Sequence, residues 1–229
     1  MIISHDRRTL FIGVPKNGSQ TARAVLGQIG VDLVGEMGRH PTVPEAIRLA
    51  EERFPGETIA PTAIYAFWRD PVERFCSAVE FHKRCLPNSF IQLFPERFVG
   101  IEPHCRWFET ELVAPNPALR AVIDTIPLTD ILDVLPPPPI IGGPTYPRGS
   151  NLSFYFSQVH WLGHPKVTTL SFSDYAHHIQ ELVNEFGGAN PCFPLPRHNQ
   201  SRTPLKLSPE ECARVRQYYQ SDLPISPAR

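Results

Sequence analysis

The chain has 229 residues and a formal charge of −1 at pH 7, with 41% hydrophobic and 20% charged residues. That balance supplies a buried core and gives no basic footprint for nucleic acid. Its 26 prolines, about twice the usual ~5% share, still fall short of a disordered or collagen-like composition.

No apolar run approaches the ~18–20 residues of a membrane span. The opening MIISHDRRTLFIGV sets its charges before a short apolar run that leads into Pro15-Lys16. A signal peptide would lead into small residues there, so a cytoplasmic protein is expected. Five unevenly spaced cysteines (Cys76, Cys85, Cys105, Cys192, Cys212) read as free thiols in a reducing compartment. The basic residues comprise 18 Arg and 4 Lys. This bias suits bidentate recognition of phosphate or sulfate, and genomic base composition explains it equally well.

Thr9 to Val14 is a short apolar run that predicts a buried strand, and Ala22, Val25, Leu26 and Ile29 then recur at helical spacing. Residues 44–54 predict a second helix, and Ala63 to Trp68 (AIYAFW) a second buried strand. Asp70-Pro71-Val72-Glu73 is a helix start, with Asp70 as N-cap and Pro71 at the first helical position. Val72, Phe75, Cys76 and Val79 form its apolar stripe. The Pro- and Gly-rich stretch 136–150 predicts a loop. Val167 to Phe172 predicts a third strand, residues 175–186 a helix ended by Gly187-Gly188, and Ser208 to Glu211 a capping box. Strands alternating with helices imply a single α/β domain over 1–229, a P-loop-like three-layer α/β/α sandwich with a central parallel sheet.

Two constellations carry chemistry. Pro15-Lys16-Asn17-Gly18-Ser19-Gln20-Thr21 lies between a strand and a helix, where free N–H groups and the helix dipole favour an anion. Gly18 permits a tight turn, Lys16 offers a point charge, and Ser19 and Thr21 offer hydroxyls. Gly13 and Gly18 have Walker spacing, but Ser19-Gln20 replaces Lys-Ser/Thr, which disfavours magnesium and a triphosphate. The second constellation runs from Arg69 to Ser77. Seven residues separate Asp70 from Ser77, nearly two helical turns, which returns Ser77 to the face of the helix start. A guanidinium and a hydroxyl would thus face a second phosphate. Both constellations follow strands, where open α/β sheets bind ligands.

Together these residues resemble the sulfotransferases that use 3′-phosphoadenosine 5′-phosphosulfate (PAPS), in the branch that includes carbohydrate sulfotransferases. The family's 5′-phosphosulfate loop, Pro-Lys-x-Gly-x-x-Ser/Thr, is matched by Pro15 through Thr21. Its 3′-phosphate motif, Arg-(Asn/Asp)-Pro-x-x-Arg-x-x-Ser, is matched by Arg69 through Ser77. Weaker echoes lie at Gln158 to Leu162, Ser171 to Tyr175, His198 to Ser201 and Tyr218 to Asp222. The segment 86–150 is not covered. Gln20, Asp70 and Asp174-Tyr175 depart from the family pattern.

The resemblance implies transfer of a sulfuryl group from PAPS to a hydroxyl-bearing acceptor, a glycan or small molecule, leaving adenosine 3′,5′-bisphosphate. Lys16 is expected at the bridging oxygen, the N–H groups of Asn17 to Thr21 and the Thr21 hydroxyl at the 5′-phosphate, and Arg69 and Ser77 at the 3′-phosphate. No metal is required. His40 is the first candidate for the base; Glu80 and His82 are reserves. Gln158 and the Pro-rich loop are candidates for shaping an acceptor pocket. A zinc site drawn from His82, Cys85, His104 and Cys105 lacks compact ligand spacing. Trp161 and Phe154-Tyr155-Phe156 read as core. The rival readings are a nucleotide-dependent P-loop kinase and a catalytically degenerate module that binds a nucleotide or partner.

Overall fold

The computed structural model describes residues 1–34, 40–85, 88–101, 117–135, 154–188 and 205–225. The Pro-rich stretch 136–150, the His104-Cys105 pair, Cys192 and the motif His198 to Ser201 lie outside the described residues. The chain divides into two compact units. The first is Met1–Asp70, Ser157–Gln200 and Ser221–Arg229; the second is Pro71–Phe156 and Ser201–Gln220.

The first unit is built on five strands: β1 (Ile2–Ser4), β2 (Thr9–Ile12), β3 (Gly30–Asp32), β4 (Ala63–Trp68) and β5 (Val167–Ser171). Their order is β3-β1-β2-β4-β5. The fold is α/β and the centre of the sheet is parallel, as expected; the antiparallel strands β1 and β3 make the whole sheet mixed, which corrects an all-parallel reading. β4 runs parallel to β2 and to β5, with Phe11 opposite Tyr65 and Tyr65 opposite Thr168. β1 runs antiparallel to β2 and to β3.

The antiparallel part arises from a hairpin that carries no glycine signal. Arg7 itself takes the left-handed conformation, φ 64°. The turn is tied by the Ser4 hydroxyl, which donates to Asp6 Oδ1 at 2.6 Å and accepts from Thr9 N–H at 2.9 Å.

Helix α1 (Ser19–Leu26) turns Ala22, Val25 and Leu26 inward, and α2 (Val43–Arg53) opens with a Thr42/Glu45 capping box. In the second unit, α3 (Pro71–Cys85) starts at the expected proline. It is followed by α4 (Asn88–Leu93), α5 (Pro117–Thr125) and α6 (Leu128–Val134). The first unit resumes with the short α7 (Val159–Leu162) and with α8 (Tyr175–Glu185), which turns Ile179, Leu182 and Val183 inward. The last helix, α9 (Pro209–Tyr218), returns to the second unit and has the expected Ser208/Glu211 capping box.

Each unit has its own core. In the first, Ile2, Phe11 and Phe67 from the sheet meet Val25 and Leu26 of α1 and Ile179, Leu182 and Val183 of α8. Phe67 is the hub of this layer, with ring centroids 5.8 Å from Phe11 and 4.6 Å from Tyr175. In the second, Phe75 and Val79 of α3 pack with Phe90, Ile123, Ile131, Tyr155, Val215 and Tyr219. Arg74 is buried there. It donates to the Phe156 carbonyl at 2.7 Å and the Phe154 carbonyl at 3.2 Å. No described helix is long and apolar enough to cross a membrane.

Removing the Phe67 ring would leave a cavity between sheet and helices. Phe67→Ala is expected to cost about 3–5 kcal/mol, read as a lower urea midpoint of the 229-residue chain.

Candidate functional site

The first motif begins as β2 ends. Val14-Pro15-Lys16-Asn17 forms a turn in which Asn17 N–H donates to the Val14 carbonyl at 3.3 Å. Pro15 sits where its fixed φ suits a turn, and Lys16 follows with φ 67°. A positive φ at that position marks a type II turn, which glycine or asparagine normally fills. A lysine there costs on the order of 1–3 kcal/mol and persists only when its surroundings hold it.

Four side chains from outside the loop do the holding. Arg69 Nη1 donates to the Lys16 carbonyl at 3.1 Å. The Tyr175 hydroxyl donates to the Gly18 carbonyl at 2.8 Å. The His40 Nδ1–H donates to the Gly13 carbonyl at 2.6 Å; a carbonyl only accepts, so Nδ1 carries the proton and Nε2 is the basic nitrogen. The fourth is Gln158, whose Oε1 accepts from Asn17 Nδ2 at 2.6 Å.

Gly18 has no room for a side chain. Its φ is +73°, and a Cβ there would lie 2.5 Å from a Tyr175 ring carbon and 2.9 Å from a Phe172 ring carbon. The same Phe172 ring lies 4.6 Å beneath the Arg69 guanidinium, a cation–π contact that steadies the arginine. Burial pushes the Tyr175 hydroxyl up from the ordinary tyrosine range, against hydrogen bonds from the Thr21 hydroxyl and Ala22 N–H. It therefore stays protonated and donates at neutral pH.

Beneath the loop lies a fully buried polar cluster. Gln158 accepts from Asn17 Nδ2 and from Arg69 N–H at 3.0 Å, and donates to the Arg69 carbonyl at 2.8 Å and Asp222 Oδ2 at 3.3 Å. Asp222 Oδ1 accepts from the Ser157 hydroxyl and, at 3.2 Å, from Val159 N–H. Asn17 Nδ2 also donates to the Phe67 carbonyl at 2.6 Å, so both its hydrogens are used. Asn17 Oδ1 is buried and has no hydrogen-bond partner among the described residues.

The structure thus brings Pro15 to Thr21, His40 and Arg69 together in one unit. Lys16 and Gly18 are half-buried and Gln20 is exposed, while Pro15, Asn17, Ser19 and Thr21 are buried. Asn17 N–H is spent on the turn and the Thr21 hydroxyl faces Tyr175; beyond Gly18, the N–H groups that open a helix lack an acceptor within it. Ser77 is buried on α3 of the second unit. Glu80 lies on the same helix. His82 is a core residue there, with Nδ1 2.7 Å from the Tyr155 hydroxyl.

Gln158 is wholly enclosed, and all four of its amide bonding sites are occupied. Trp161 is buried as expected, and its Nε1–H donates to the His40 carbonyl at 2.8 Å, which anchors His40 from its backbone side. The contribution of Asp222 was not foreseeable beyond the echo at 218–222.

No family model, curated protein or solved structure matches this chain.

Gly18→Ala brings a methyl group onto the Tyr175 ring in a backbone region that disfavours it. The expected loss is about 2 kcal/mol or more, measured by chemical denaturation, with the second unit's core unaffected by near-UV criteria.

Proposed function

We propose that the protein is a PAPS-dependent sulfotransferase acting on a hydroxyl-bearing acceptor, a glycan or small molecule met in the cytoplasm, on a P-loop-like three-layer fold. One observation carries the reading. Two motifs recognised separately in the sequence meet through the hydrogen bond from Arg69 Nη1 to the Lys16 carbonyl. They meet at the carboxyl ends of the neighbouring parallel strands β2 and β4, where α/β sheets bind ligands.

The residues suit the charges of the donor. Lys16 brings an ammonium group on a backbone held in a strained turn, Arg69 brings a guanidinium, and the start of α1 brings N–H groups. PAPS supplies a sulfuryl group in an anhydride with its 5′-phosphate: the acceptor oxygen bonds to sulfur, the bond from sulfur to the bridging oxygen breaks, and adenosine 3′,5′-bisphosphate leaves with the electron pair. Lys16 is assigned to the bridging oxygen, where negative charge grows. The amides from Gly18 to Thr21 are assigned to the 5′-phosphate and Arg69 to the 3′-phosphate. His40 takes the acceptor's proton at Nε2, with its ring oriented by the bond from Nδ1–H to Gly13.

Thermal unfolding tests this. Adenosine 3′,5′-bisphosphate at a hundredfold excess over its Kd is expected to add about 2.7 kcal/mol of stability, and Arg69→Ala to abolish the shift. With an acceptor in hand, His40→Ala is expected to lower turnover by roughly 10²–10⁴ at nearly constant bisphosphate affinity. A shift only with ATP and magnesium would replace this reading by a kinase. Bisphosphate binding without transfer to any acceptor would replace it by a nucleotide-binding module.

A further inference from the structure

We infer that Gln158 and Asp222 are positioning residues for the loop: their amide–carboxylate pair clamps Asn17 and the Arg69 backbone, and so holds Lys16 in its left-handed turn. The purpose of this hold depends on the sulfotransferase reading; the hold itself does not.

The geometry is directional. Asp222 Oδ2 accepts from Gln158 Nε2 at 3.3 Å, and that nitrogen's other hydrogen goes to the Arg69 carbonyl at 2.8 Å. Two acceptors on one side fix which end of the carboxamide is nitrogen. Oε1 must then face the other way, where it receives Asn17 Nδ2 and Arg69 N–H. Asn17 is the next residue after Lys16, and its N–H closes the turn on Val14. Arg69 reaches back to the Lys16 carbonyl. Asn17 and Arg69, which flank the strained peptide, are therefore both held by one side chain, and Asp222 together with the Arg69 carbonyl sets that side chain's orientation.

Polarity exchange tests the assignment. Gln158→Glu sets a carboxylate against Asp222 and removes the donor. Adding Asp222→Asn returns a donor from the other side, while its oxygen still accepts from Ser157 and Val159. Hydrogen exchange of the peptide 13–21 in the full chain is expected to speed up about tenfold or more in Gln158→Glu. In the exchanged pair, where the Asp222 contact is restored and the Arg69 carbonyl still lacks its donor, it is expected to slow again by about threefold or more relative to Gln158→Glu. A residue that merely occupies volume would gain nothing from the second substitution.

Unchanged exchange in Gln158→Glu, or no recovery in the pair, overturns the inference. Should Gln158→Glu fail to fold, Asn17→Ala, which leaves the pair intact, must loosen the same peptide about tenfold; a loop that stays protected there also overturns it. Bisphosphate affinity is expected to follow the same order among the variants. If the parent binds no bisphosphate, the sulfotransferase reading falls while the exchange data still decide the positioning role.

Discussion

A buried primary amide has four hydrogen-bonding positions to satisfy, and Gln158 satisfies all four with residues drawn from three distant parts of the chain. In a low-dielectric interior each of these bonds is stronger than in water, and each one lost leaves a costly orphan. The consequence is an arrangement with one low-energy solution. The backbone at the end of β4, the side chain of Asn17 and the carboxylate of Asp222 are locked to one another, and the loop above inherits their geometry.

The loop needs that support because its local chemistry argues against its shape. Lysine is a poor occupant of a left-handed turn position, and the Val14–Asn17 turn bond is long at 3.3 Å. Carbonyl groups of the loop are instead tied down from outside by His40, Arg69 and Tyr175. Fixing the carbonyls leaves the N–H groups of the first turn of α1 facing away from them, the polarity that an anion site needs. The aromatic layer of Phe67, Phe172 and Tyr175 provides the floor, and Gly18 is the residue that lets the backbone rest on it.

Local signals in the sequence were informative where they were strong. AIYAFW between two breaks marks β4 over its full observed length, and the Ser208 capping box and the start at Pro71 stand where the pattern sets them. The strands β1 and β3 have three residues each, too few for any periodicity to register. The hairpin that joins β1 to β2 turns at Arg7, so no glycine announced it, and the antiparallel edge beside the parallel centre was missed. Lys16, His40 and Arg69 were legible because each sits beside a strand or helix end. The hub was not, because Gln158 and Asp222 gain meaning only from partners 141 and 64 positions away. Taken alone, a glutamine before an apolar run and an aspartate near a tyrosine pair are ordinary residues.

The first unit is assembled from three separate stretches of chain, and this sets a timetable for a nascent polypeptide. The loop leaves the ribosome early. Its glutamine clamp is made 141 positions later, and the carboxylate that orients the clamp 64 positions after that. At ~5–20 residues per second, the interval is on the order of ten to forty seconds. During it the Asn17 amide lacks its Gln158 partner, and Lys16 is held in its turn by fewer contacts than in the finished fold. A growing chain therefore carries a motif that is complete in sequence long before the contacts that support its shape are complete.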